Sequence, residues 1–441
     1  IPQIELATKI SDLLDWGAPA HAYFTASGSE ANEAAFKIAR QFHAANVEQD
    51  PSGPLRYKII SRHRAYHGNT AGAMAATGQA ERKIGFGPQP PGYIKVGTPY
   101  PYRSRESEEQ HGLDLAASLD ETIRMEGAET VAAFICEPIT SGGGVLGPPE
   151  NYLKEVRKVC DEHGVLLILH EVVSGFGRTG AMFGHHHYGV VPDIVTLAKG
   201  LTSGYQPLGA CVVSDRVFAN FHDCPDAVHQ GKVASTLPPR LAHLRSINTY
   251  GGHPVACAVG LRNIEIVERE GLVERAAEMG AFLKNSLEEA IGAHRNVGEV
   301  RGRGLLIGVE LVADRLLLLR HQQLLPRQQP CVLLSYLCMR WQQLHQLSRQ
   351  GMNVITVIHQ PSYQIFQVFD DVMLLGVGGS GSMRTGMNLV LNFRQMGLYN
   401  MLVLGQDAAT CEGLWAALPA LACVYWPSRF LRKKPDSLYN T

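Results

Sequence analysis

Val165-Leu166-Leu167-Ile168-Leu169 is an unbroken apolar run between Gly164 and the polar pair His170-Glu171. A short run without alternation reads as a strand covered on both faces, as in a parallel sheet flanked by helices. Moving outward, the same punctuation recurs. Val131-Ala-Ala-Phe-Ile-Cys136 runs into Glu137-Pro138, and Tyr57-Lys-Ile-Ile-Ser61 leads into Arg62-His-Arg-Ala-Tyr66-His67-Gly68. His21-Ala-Tyr-Phe-Thr25 leads into Ala26-Ser27-Gly28-Ser29-Glu30. Between these runs lie helical patterns. Ala34, Ile38 and Phe42 repeat every fourth residue, and Leu153, Val156 and Cys160 share a face, with Pro149 near the start and Gly164 as the stop. Strands alternating with helices predict an α/β fold built on a mostly parallel sheet. In such sheets ligands gather at the carboxyl ends of the strands, and each polar cluster named here follows a strand.

Two of these clusters carry chemistry. In Asp193-Ile-Val-Thr-Leu-Ala-Lys199-Gly200 a lysine ends an apolar run and heads a glycine-rich stretch. Desolvation lowers a lysine's pKa, and the neutral amine can form a Schiff base with an aldehyde. The plain alternative is a solvated lysine at a strand end. Ser27-Gly28-Ser29 puts a glycine where backbone N–H groups can approach a ligand, at the positive end of the following helix, which suits a phosphate. Ser27 and Glu30 also fit an S-x-x-E capping box, which needs no ligand.

Taken together the motifs resemble the class III aminotransferases, in particular the branch that transfers amino groups between ω-amino acids and pyruvate. The resemblance rests on Ser27-Gly-Ser-Glu-Ala-Asn, Tyr66-His-Gly, Glu137-Pro, Glu171-Val-Val-Ser-Gly-Phe-Gly-Arg-Thr-Gly, Ala198-Lys-Gly and Asn248-Thr-Tyr-Gly-Gly-His-Pro-Val-Ala, in the family's order. It implies the pyridoxal-phosphate-dependent transferase (aspartate-aminotransferase) fold, with residues 1–250 as a large cofactor-binding domain and 251–315 as the start of an incomplete small domain. It implies pyridoxal 5'-phosphate as cofactor, amine and oxo-acid substrates, and a homodimer with a shared site. Lys199 would carry the cofactor as a Schiff base and later move the proton. Gly28 and Ser29 would hold the phosphate. Tyr66 would stack on one ring face, with His67 beside it, and Val172 would press the other. Glu137 and Glu171 would shape the polar surroundings, unless Glu171 simply pairs with Arg178. Thr249 would reach the phosphate across the dimer. A phosphoamine lyase of the same fold shares an Asn-Thr-Tyr-Gly-Gly-x-Pro run, although Lys199-Gly-Leu-Thr-Ser-Gly204 follows the transaminase pattern better.

One position departs from the family. Where the resemblance calls for an aspartate, directly before Glu171, the chain has His170. An aspartate there keeps the cofactor's pyridine nitrogen protonated, and the protonated ring acts as the electron sink. A neutral imidazole can only make a hydrogen bond. The expectation of a transaminase working through Lys199 therefore has an alternative, a remnant that binds the cofactor but transaminates weakly.

The ends differ as well. The chain opens at Ile1, so the family's long N-terminal segment is expected to be missing, and the match is expected to stop at Arg315. Residues 316–441 carry no assignment, as in a fused or mis-joined gene. Within them, Gly351 to Leu375 resembles the switch-histidine region of G-type ABC transporters, with His359 at the histidine position and the likeness running over about 351–379. The chain has no G-x-x-x-x-G-K-[ST] loop, so ATP hydrolysis is not expected.

Composition fits an ordinary enzyme core. The chain of 441 residues is 45% hydrophobic with a net charge of −1, which points neither to disorder nor to a nucleic-acid partner. Nine scattered cysteines without a C-x-x-C pair suit a reducing compartment, cytoplasmic or mitochondrial. Leu414 to Trp426 is apolar but too short to span a bilayer. His185-His186-His187 cannot all face one ion on a regular element, so no metal is expected there.

Overall fold

The computed structural model of the chain describes residues 1–46, 55–221, 244, 246–312 and three strands at 372–375, 401–405 and 422–425. Contacts divide the chain into two compact units, Ile1–Glu310 and Leu311–Thr441. The first is built on a seven-stranded sheet of β1 (Ala20–Thr25), β2 (Lys58–Arg62), β3 (Tyr93–Val96), β4 (Val131–Cys136), β5 (Leu166–His170), β6 (Ile194–Leu197) and β7 (Gly209–Ser214), in the order β1-β7-β6-β5-β4-β2-β3. Only β7 runs against its neighbours; the other pairings are parallel. This is the mostly parallel sheet expected from the unbroken apolar runs. The antiparallel strand left no mark in the sequence pattern.

Helices cover both faces, and the two-residue period of the strands decides which residue meets which helix. In β5, Leu167 and Leu169 pack with Val156 and Cys160 of α5 (Tyr152–His163) and with Leu119 and Ile123 of α4 (Glu108–Glu126). Leu166 and Ile168 face the other way, onto Phe36, Ile38 and Phe42 of α2 (Gly28–Asn46). His170, next in that second series, therefore turns toward α2. α5 stops where Gly164 takes a left-handed turn at φ 62°. A third core joins α1 (Pro2–Leu14) and α7 (Pro254–Arg269) to Val195 and Leu197 of β6. α3 (Ala71–Ala76) and α6 (Asp215–Ala219) are short. α8 (Leu272–Ile291) lies beside a two-stranded sheet of β8 (Val297–Arg303) and β9 (Leu306–Leu311).

In the second unit, β10 (Val372–Leu375), β11 (Met401–Gly405) and β12 (Ala422–Tyr425) form a parallel three-stranded sheet. His359 and the transporter-like stretch, β10 apart, lie outside the described residues. Among the described residues no helix is long and apolar enough to cross a membrane.

Candidate active site

The carboxyl ends of β1, β2, β4, β5 and β6 bring the polar clusters together. After β1 the chain turns into α2. Glu30 N–H donates to Ser27 Oγ at 3.2 Å, and Glu30 Oε2 accepts from Ala26 N at 2.8 Å and Asn248 Nδ2 at 2.6 Å. The expected cap is formed, and it leaves Gly28 and Ser29 at the positive end of the helix. A Cβ on Gly28 would stand 3.1 Å from both Val172 methyls and 3.4 Å from Ala198 Cβ. The helix start, the turn after β5 and the end of β6 are therefore packed together as one wall. Gly68, at φ 131°, closes the other side; its Cβ would lie 2.3 Å from Ser29 Oγ, which accepts from Asn69 N at 3.2 Å.

Lys199 follows β6 in a left-handed conformation, φ 43°. A lysine has no intrinsic reason to adopt it, and such strain costs on the order of 1–3 kcal/mol. The strand behind it is buried, while Lys199 itself is exposed. Crowding by surrounding protein still pushes the amine below the ordinary lysine range; Glu137 opposes that shift and Arg82 adds to it.

His170 is 3% exposed and paired in register with Thr196 of β6. Asn32 of α2 organises it. Asn32 Nδ2 donates to the His67 carbonyl at 2.5 Å, which fixes the amide's orientation, and to His170 Nδ1 at 3.0 Å. Thr196 Oγ1 donates to Asn32 Oδ1 at 2.9 Å. Nδ1 also lies 3.3 Å from Asn32 Oδ1 and from Thr196 Oγ1, so the same nitrogen meets both sides of this network. Burial, reinforced by the charge of Lys199, lowers its pKa to about 3. His170 is thus neutral. Beside it, edge-on at 5.0 Å between ring centroids, stands His67. His67 is fully buried, both of its ring nitrogens lack a hydrogen-bond partner, and burial holds its pKa well below the ordinary value.

Glu137 is 2% exposed and uses its carboxylate to fix backbone, accepting from Tyr66 N at 3.1 Å and Ser141 N at 3.0 Å. Burial raises its pKa. The expectation for Glu171 needs correction. Its partner is not the exposed Arg178 but His185, at 2.8 Å from Nδ1, with further bonds from Ser174 Oγ at 2.5 Å, Gly184 N and His185 N. His186 and His187 turn to the carbonyls of Leu14 and Thr179, so the three histidines diverge. Thr249 is exposed, in a turn tethered to α2 through Asn248. Three residues without a role in the sequence reading also belong here: Asn32, Gln79 and Arg82. The Arg82 guanidinium lies over the Tyr66 ring at 4.7 Å, and its Nε donates to Gln79. A separate concavity of about 1050 Å³ between α1 and β1 includes none of these residues.

The walls fit a phosphate-bearing pyridine aldehyde. A helix start with a bare glycine suits the phosphate, Val172 and Tyr66 offer apolar and aromatic faces, and an amine stands beside them. The one mismatch with the family pattern is His170: a neutral imidazole can hydrogen-bond a pyridine but cannot hold a pyridinium.

Comparison with known proteins points the same way. The model of the family "Aminotransferase class-III" matches residues 2–357, further than the expected stop at Arg315. The chain is 46% identical over 315 residues to the uncharacterized aminotransferase YhxA of Bacillus subtilis, covering 71% of this chain and 65% of that protein. It is 40% identical over 316 residues to the taurine–pyruvate aminotransferase of Bilophila wadsworthia, again 71% of this chain and 65% of the other. A thermostable (S)-enantioselective omega-transaminase from Thermomicrobium roseum superposes with a TM-score of 0.61 at 44% identity, over 71% of this chain and 66% of that one. The chain thus spans about 65% of the length of the curated relatives it matches.

Proposed function

Because the chain belongs to the class III aminotransferases, a pyridoxal-phosphate-dependent family, we propose that it moves an amino group from an ω-amino acid or primary amine to pyruvate or another oxo acid. The observation that carries this reading is the placement of the strained Lys199 beside the Gly28–Val172–Ala198 wall at the head of α2. The similarity to a taurine–pyruvate aminotransferase and an omega-transaminase supports the substrate class.

Pyridoxal phosphate supplies an aldehyde that exchanges with amino groups and a ring that draws electrons from the substrate carbon. The chain's own residues do the rest. Gly28 and Ser29 would hold the phosphate at the helix terminus. Tyr66 and Val172 would offer the ring its aromatic and apolar faces. Lys199 Nζ would hold the group through its aldehyde and, when free, would serve as the base for the proton at the substrate carbon. Its lowered pKa keeps a larger share of it neutral for that task. Thr249 of the partner subunit would complete the phosphate site in a homodimer.

His170 would bear on the rate. A neutral imidazole would supply no charge to keep the ring nitrogen protonated, which would weaken the electron sink. Loss of one preorganised charge costs about 10²–10³ in rate. A cofactor-binding protein with slow turnover is therefore the second reading, and His170 is the observation that favours it. The test is spectroscopic. The loaded protein should be yellow, an ω-amino acid should bleach it, and pyruvate should restore it. Colour that no amine bleaches supports the second reading. Phosphate release from a phosphoamine would overturn both.

A further inference from the structure

We propose that Lys95 is a carbamate site: its amine takes up carbon dioxide, and the ammonium of Lys83 holds the carboxylate that forms. In β3, the edge strand of the large sheet, Ile94 and Val96 join the core on the side of α4 and α5. Lys95, between them in sequence, turns to the other face, where α3 lies. Its register partner there is Ser61 of β2. Lys95 Nζ donates to Ser61 Oγ at 2.8 Å and to the Ala75 carbonyl of α3 at 2.7 Å. Ser61 places its own hydrogen on the Ala76 carbonyl at 2.8 Å, so toward the amine it only accepts. Lys83, on the turn Ala80–Lys83 just past α3, donates to the same Ala75 carbonyl at 3.3 Å.

Two amines thus meet at one uncharged oxygen, and among the described residues no carboxylate pairs with either. Half-buried Lys58, on β2, shows the other arrangement, with Glu126 at 2.8 Å. An ammonium has three hydrogens to place and a neutral amine two. The two neutral acceptors of Lys95 therefore suit the neutral form and leave its lone pair free. Burial, reinforced by the charge of Lys83, pushes the amine down to about 7. The titratable rings nearby, His63 and His67, are lowered by burial and in part by these lysines, and they bring no negative charge. Such surroundings favour an adduct that supplies one. An acyl group would leave a neutral amide. Carbon dioxide gives an anion, and it is small enough to reach a half-buried amine at a sheet edge. The lone pair of Lys95 Nζ attacks the carbon, one C=O π pair moves onto oxygen, and the nitrogen releases one proton to water. The N–H that remains can stay on Ser61 Oγ while Lys83 keeps the Ala75 carbonyl, so neither acceptor is stranded. A like-charge pair becomes an ion pair. It ties to the sheet edge the turn whose Arg82 guanidinium lies over Tyr66.

The test is independent of turnover. The full chain, loaded with cofactor and cleared of the excess, is incubated near neutral pH with isotope-labelled bicarbonate, ethylated with triethyloxonium and mapped by mass. The trapped ethyl carbamate should lie on Lys95. Carbon NMR should show the matching carbamate resonance, lost in Lys95→Met and equally in Lys95→Arg, which keeps a charge at the position should the apolar variant fail to fold. Lys83→Met should lower the carbamate level by about threefold to fivefold, the scale of a partly exposed ion pair. No label on Lys95, a resonance that survives Lys95→Arg, or a level unmoved by Lys83→Met overturns the proposal.

Discussion

At Lys199 two unfavourable features coincide: a left-handed backbone on a residue with a Cβ, and an amine pushed toward its neutral form. Neither helps the fold, so removing both should stabilise it. Asparagine tolerates φ 43° better than lysine does. Lys199→Asn should therefore gain about 1 kcal/mol in denaturant unfolding while losing cofactor attachment. A loss of stability would mean that the lysine serves packing. At His170 the mismatch runs the other way. His67 is buried with neither ring nitrogen paired, at a cost of about 1–3 kcal/mol. His170→Asp would place a carboxylate next to that ring, within reach of Asn32 Nδ2. The variant should titrate His67 at a higher pH by NMR, hold or raise the thermal midpoint, and speed transamination by about a hundredfold. A His67 signal that does not move would break the link between the two rings.

β2, β4, β5 and β6 each bring a candidate side chain to their carboxyl ends, Tyr66, Glu137, His170 and Lys199. Gly68 shows how little slack there is. Its φ of 131° and the 2.3 Å approach of a Cβ to Ser29 Oγ leave no room for a methyl group. Gly68→Ala should lower stability by about 2 kcal/mol or more and weaken cofactor binding, since Ser29 must yield. Equal cofactor affinity in this variant would remove Ser29 from the phosphate site. The strands themselves were legible in the sequence because burial on both faces leaves runs such as Val131–Cys136 without alternation. The Gly164 stop and the Ser27 cap were legible because both are local. Asn32, Gln79 and Arg82 were not, since their roles depend on contacts with residues distant in sequence: His67, His170, Arg64 and Tyr66. The alternative pairing of Glu171 with Arg178 is not formed, and the fold brings up His185 instead.

Across the molecule, burial of neutral histidines dictates the response to acid. His43 is lowered to about 4, His170 to about 3, and His67 well below 6.5. Above pH 6.5 neither the folded nor the unfolded chain charges them. Below it the unfolded chain takes up protons that the folded chain refuses, so stability falls as pH falls toward the folded values. At pH 5.5 His43 and His170 each contribute a loss on the order of 1 kcal/mol, and His67 adds loss in the same direction. Glu310, held to about 2 by Tyr100, Arg103 and Arg301, adds loss in the same direction below its ordinary range. Urea unfolding should show stability dropping steeply from pH 7 to 5.5, less so in His170→Asp, and rising somewhat from pH 7 to 8, where Lys95, lowered to about 7 by burial, gives up a proton that the unfolded chain keeps. Equal stability at pH 5.5 and 7 would show these rings to be solvated.

The central claim is that one ε-amine, at the end of β6, holds the cofactor. Reducing the pyridoxal-phosphate-loaded chain with borohydride and mapping the peptides by mass should place the cofactor's mass on Lys199 and nowhere else. The label on another lysine, or on none, would contradict the account.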